Sequence, residues 1–208
     1  MTDRRRVAVA VTALIIAAAG VALGAFESRI DASRIDRAIA LGRAGDAAAR
    51  QRFHDAYVVR VGDPELTRVE VVTEFRRVVL AAEQRSGFGD ATFSRRDAEN
   101  LLRPFRNTVS IVVYLRFPPQ NAYRAMPDFQ VVVYDRPPAS GRLLPRDTRA
   151  VPQYVSGQLA PPGSPLLGGS VEATFDARRL DPRGIYLIGV GQQGRELRRI
   201  EVDFGRIE

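Results

Sequence analysis

A chain of 208 residues, 45% hydrophobic and 26% charged, is long enough to bury a core and too apolar to be disordered throughout. Its formal charge of +7 rests on 31 basic residues, all of them arginine, scattered among acids with no run longer than Arg4-Arg5-Arg6. That scatter disfavours a nucleic-acid partner and reads as compositional bias, the alternative being a basic face for an anionic partner. The absence of cysteine excludes disulfides, zinc thiolates, a cysteine nucleophile and lipid attachment through cysteine.

Val7 to Phe26 is an uncharged run of twenty residues behind those three arginines, with Glu27, Arg29 and Asp31 beyond it. A helix of that length reaches roughly 30 Å, the thickness of a bilayer's hydrocarbon core. Residues 1–26 are therefore expected to form a single transmembrane anchor in the inner (cytoplasmic) membrane. The flanking arginines put the N-terminus in the cytoplasm and the remainder on the periplasmic or extracytoplasmic side. The small residues Ala22, Gly24 and Ala25 leave open a cleaved signal and a secreted domain. The run is longer than the usual signal core of about 7–15 residues, which favours the anchor.

Residues 27–55 read as a helical stalk. The stretch is alanine-rich, lacks proline and alternates in charge sign through Arg29, Asp31, Arg34, Asp36 and Arg37, as a solvated helix near a membrane does. Gly42 and Gly45 predict a break at its far end. A β-sandwich domain is expected over 56–208. It opens with a strand over 56–61 and a turn at Gly62-Asp63-Pro64-Glu65.

Leu66 to Glu83 supports two readings. Leu66, Val69, Val72, Phe75, Val79 and Ala82 share one helical face, whereas Val69, Val71, Thr73 and Phe75 alternate as in a strand. The five valines and two threonines in 67–79 favour a long, bent strand. Ser94 to Asp97 fits a capping box and predicts one short helix over 95–103. Strands are then predicted over 108–117, 129–135, 170–176, 185–190 and 196–204, the last two as a hairpin.

The segment 136–169 holds seven of the thirteen prolines, with one plausible strand at 151–155. A long proline-rich loop in a compact domain is either a plain crossover or extended backbone offered to a partner. Its apolar side chains Leu143, Leu144, Val151, Tyr154, Leu159, Leu166 and Leu167 either pack back on the domain or meet another protein. They are the candidate partner-contact residues.

The remaining motifs carry little chemistry. Gly189 to Gly194 spells a dinucleotide-binding glycine pattern, but a strand rather than a helix follows, so the glycines read as hairpin residues. No cofactor is expected. His54, the one histidine, has no partner identifiable from spacing and reads as a junction residue. Glu70, Glu74, Glu172, Asp176 and Asp181 are carboxylates that an enzyme could assemble only in three dimensions.

Leu180-Asp181-Pro182-Arg183-Gly184-Ile185-Tyr186 resembles the tyrosine corner of Greek-key sandwiches, where a tyrosine hydroxyl bonds to upstream backbone. The expected class is accordingly mainly β: anchor, stalk and an immunoglobulin-like (Greek-key) sandwich with one short helix. The expected role is protein–protein contact as an accessory subunit of a membrane assembly. An envelope hydrolase with a carboxylate site is the alternative.

Overall fold

The computed structural model describes residues 26–135, 141–154 and 165–207. In chain order the strands are β1 (Val58–Arg60), β2 (Leu66–Val72), β3 (Thr108–Arg116), β4 (Phe129–Asp135), β5 (Arg142–Leu143), β6 (Asp147–Tyr154), β7 (Leu166–Asp176), β8 (Ile185–Gln192) and β9 (Arg195–Asp203). The helices are α1 (Ala32–Arg43), α2 (Ala47–Asp55), α3 (Glu74–Gly87) and α4 (Arg95–Leu102).

The strands form two antiparallel sheets: sheet A in the order β1-β2-β3-β7-β6 and sheet B in the order β5-β4-β8-β9. The chain passes between sheets after β3, after β5 and after β7. Alternation fixes the inner faces. Val109, Ile111, Val113 and Leu115 of β3, with Val171, Ala173 and Phe175 of β7, share one core with Val131 and Val133 of β4 and Ile188 and Val190 of β8. The expected mainly β class holds, as two packed sheets with helices.

A second core lies among the helices. Ile35, Ala38 and Ile39 of α1 meet Phe75, Val78, Val79 and Ala82 of α3, and Ala98 and Leu102 of α4. The solvated stalk expected over 27–55 gives way to a helix packed on the domain, because the aliphatic residues of α1 form a buried stripe beneath the charges that suggested solvation. Gly42 is part of that contact: a Cβ there would meet the Val79 carbonyl oxygen at 2.5 Å. The predicted break falls just beyond, at 44–46. Phe53 touches both cores, its ring 4.9 Å from that of Tyr57 and 5.9 Å from that of Phe75.

Phe26, counted with the apolar run from sequence, is buried in the sandwich core, its ring 5.4 Å from that of Phe204 and edge-on to it. The rest of that run lies outside the described residues. Among the described residues no helix is long and apolar enough to cross a membrane.

The long strand expected over 66–83 is corrected to a strand followed by a helix. Period two ends at Val72. Thr73 then caps α3, its hydroxyl accepting the Arg76 N–H at 3.2 Å, and burial passes to Phe75, Val78, Val79 and Ala82 at helical spacing. Two of the valines that suggested a strand, Val78 and Val79, are helical. The single short helix expected within the sandwich is thus joined by α3. That short helix is α4, and its Ser94–Asp97 capping box is complete. The C-terminal hairpin also forms, with Gln193 and Gly194 at positive φ of 50° and 80°, as a two-residue type I′ turn requires.

The Tyr186 hydroxyl accepts the backbone N–H of Asp181 at 2.6 Å. The residue is buried, and burial pushes its phenol above the ordinary value, the Asp181 N–H opposing that shift. Tyr186→Phe leaves that N–H without its partner and is expected to lower stability by about 1–3 kcal/mol. Chemical denaturation of the variant against wild type checks this, and an unchanged midpoint would contradict the assigned corner.

Candidate functional site

The seven candidate contact residues separate into three groups. Leu143 and Leu166 are buried core residues, and Tyr154 is partly buried against the core. Leu144, Val151 and Leu167 are exposed, at 57, 46 and 37%. Leu159 lies outside the described residues. The strand expected at 151–155 is the end of a longer one, β6, in which seven of eight residues are exposed. β6 is the edge of sheet A, with no strand paired on its far side among the described residues. Val151 pairs with Ser170 across the ladder, and Leu167 lies on the neighbouring strand β7.

The outer face of sheet A is divided between a covered half and an open half. Arginines of the first turn of α3 cover the first. Arg76 donates to Glu70 Oε2 at 2.9 Å and to the Val71 carbonyl at 2.7 Å, while Arg77 reaches Ser110 Oγ at 3.0 Å and Glu172 Oε1 at 3.2 Å. The Arg77 guanidinium also lies 3.7 Å from the centroid of the Phe105 ring.

Further along the strands, register aligns Arg60, Arg68, Tyr114, Ser170 and Val151 across all five members of the sheet. The next outward positions are Arg116, Gly168 and Gln153. Here a cleft of about 580 Å³ opens, lined by Arg60, Arg68, Tyr114, Arg116, Gln153 and Leu167 among others. Arg68 stacks 3.9 Å from the Tyr114 ring centroid and holds Glu70 Oε1 through Nε at 3.0 Å.

The carboxylates do not converge. Register brings Glu70 and Glu172 to either side of Val112 in one outward row, roughly 10 Å apart at the backbone for two strand spacings. Each is committed to an arginine of α3, and neither lines the 580 Å³ cleft. Glu74 is buried, Asp176 pairs with Arg146 and Arg178, and Asp181 accepts the Arg183 N–H. Among the described residues no group of three or more histidine and acidic side chains is placed to hold a metal ion.

His54 sits on α2 at the junction with α3, Nε2 2.8 Å from Glu83 Oε2, with Nδ1 buried and unpartnered. Arg50 Nε holds the other oxygen of Glu83 at 3.1 Å. This cluster fastens α2 to α3.

The arginine cleft was not foreseen from sequence. Tyr114 and Arg116 share a strand face by their i, i+2 spacing. Their meeting with Arg60 and Arg68 depends on cross-strand register, which spacing alone does not supply. No protein-family model, curated protein or solved structure matches this chain.

Asp176, at the end of β7, accepts from the Arg178 guanidinium at 2.8 and 2.9 Å and from its backbone N–H at 3.1 Å, and it also pairs with Arg146. The Arg178 bonds foremost, with Arg146 adding charge attraction, hold its carboxyl well below the usual range. A depressed carboxylate stabilises the fold above its unfolded-state value of about 3.9, and that contribution is lost as pH falls through the folded value. Asp176→Asn is expected to lower the melting temperature at neutral pH and to flatten its decline between about pH 5 and pH 2. An acid limb parallel to that of wild type would contradict this.

Proposed function

We propose that this chain is a non-catalytic contact module. Residues 7–25 tether it to the inner membrane, and an immunoglobulin-like sandwich stands on the periplasmic or extracytoplasmic side, where the edge of sheet A meets a protein partner as part of a membrane assembly. Strand order supports the Greek-key reading. β2-β3-β7-β6 and β5-β4-β8-β9 correspond to the A-B-E-D and C′-C-F-G strands of immunoglobulin-type domains, with β1 added outside the A position. Tyr186, near the start of β8, occupies the place of the tyrosine corner on strand F.

The observation that carries the contact role is the state of β6. The other edges are protected: β1 and β5 are only three and two residues long, and β9 carries five charged side chains in its first seven positions. β6 is long and exposed and has Leu144, Val151 and Leu167 about it. Natural proteins shield such edges or use them to add a partner's strand. Asp147, Arg149 and Pro152 on β6 limit indiscriminate pairing, which suits a selective contact.

A photo-reactive amino acid at Val151 of the full chain, activated in cells that express it, should cross-link the protein in the membrane fraction to one dominant partner. The same probe at Leu197, on β9, should not. Equal labelling from both positions, or a product found only in the soluble fraction, would overturn the reading.

A further inference from the structure

We propose that the cleft on the open half of sheet A binds an extended, acidic polypeptide segment, its carboxylates held by Arg60, Arg68 and Arg116; the proposal rests on the contact role just described. Three features of the cleft support it. Arg68 is preset: stacked on Tyr114 and fastened through Nε to Glu70, it keeps both terminal Nη groups free of hydrogen bonds among the described residues. A guanidinium held this way binds a carboxylate with little further loss of side-chain freedom. Arg60 and Arg116 are exposed and form no ion pair among the described residues. Glu70, the acid beside them, is shared between Arg68 and Arg76. The lining therefore keeps an excess of positive charge.

The shape favours a chain over a point anion. The outward row crosses all five strands, from Arg60 to Val151, about 19 Å for four strand spacings. Apolar surface from Leu167 and the Tyr114 ring lies among the arginines, which suits a segment that carries both acidic and apolar side chains.

Position argues against lipid headgroups. Residues 26 and 30 pack beside Phe204 and Asn107, at the start of β3. Arg116 lies at the other end of that nine-residue strand, roughly 27 Å away. A tether leaving through residue 26 points the cleft away from its own bilayer.

The test is fluorescence anisotropy of a labelled peptide alternating glutamate with valine, against the full chain in a neutral detergent. A glutamine-for-glutamate peptide and phosphatidylglycerol vesicles serve as comparisons. The glutamate peptide should bind, weaken as salt rises, and bind roughly tenfold less well to the Arg60→Gln, Arg116→Gln double variant. That variant should keep the wild-type melting temperature, since neither side chain forms an ion pair among the described residues. Charge reversal (Arg60→Glu, Arg116→Glu) should transfer preference to a lysine–valine peptide. Failure of the glutamate peptide to bind, binding that the variants leave unchanged, or tighter capture of the vesicles through the same arginines would each overturn the proposal. If the peptide fails while Val151 still cross-links to a partner in cells, this inference falls and the contact role stands.

Discussion

The carboxylate of Glu74 joins the two halves of the molecule. Its side chain is fully buried, and an isolated charge there would carry a desolvation cost of several kcal/mol. Three donors and a helix end offset that cost. Oε1 accepts the Asn107 N–H at 2.7 Å, and Oε2 accepts Arg106 Nη1 at 2.7 Å and the Ile30 N–H at 3.2 Å. Glu74 is also the first residue of α3, where the helix dipole favours a negative charge. One side chain thus ties the segment before α1, the N-terminus of α3 and the start of β3 at a single point. Asn107 is held there at a φ of +58°, with Arg106 also donating to the Ile30 carbonyl at 3.2 Å.

The division of sheet A follows from that anchorage. With the first turn of α3 fixed beside β3, Arg76 and Arg77 fall over the near half of the sheet and occupy Glu70 and Glu172. The far half keeps its arginines open. Glu70 and Glu172 are thereby paired, while Arg60 and Arg116 form no ion pair among the described residues. The same geometry puts the N-terminal segment at one end of the sandwich and the open face at the other.

Much of the sandwich was legible in the sequence, because its strands are β-branched and bounded by turn residues. Thr108–Arg116 and Phe129–Asp135 fall within one residue of their predicted limits. The corner at Tyr186 was readable from Pro182, Gly184 and the tyrosine alone. What misled was composition taken over position. The valines of 69–79 suggested one strand until the period was read from Thr73 onward, where Val78 and Val79 are helical, and the alternating charges of α1 concealed the stripe of Ile35, Ala38 and Ile39. The cleft was illegible for a different reason: Arg60, Arg68 and Arg116 are scattered over 57 residues of sequence and meet only through ladder register. Of the candidate contact residues, Leu143 and Leu166 were apolar because they belong to the core, and Leu144, Val151 and Leu167 are exposed.

The central claim is that helices and sandwich form one unit joined through the buried Glu74 carboxylate. Hydrogen exchange of the full chain, followed peptide by peptide by mass spectrometry, tests it in wild type and in Glu74→Ala. In wild type, α1 should be protected to a degree approaching that of β3. The substitution should release protection in α1, the first turn of α3 and the start of β3 together, while β8 and β9 change least. An α1 that exchanges freely in wild type, or a Glu74→Ala variant whose losses stay within α3, would contradict the account.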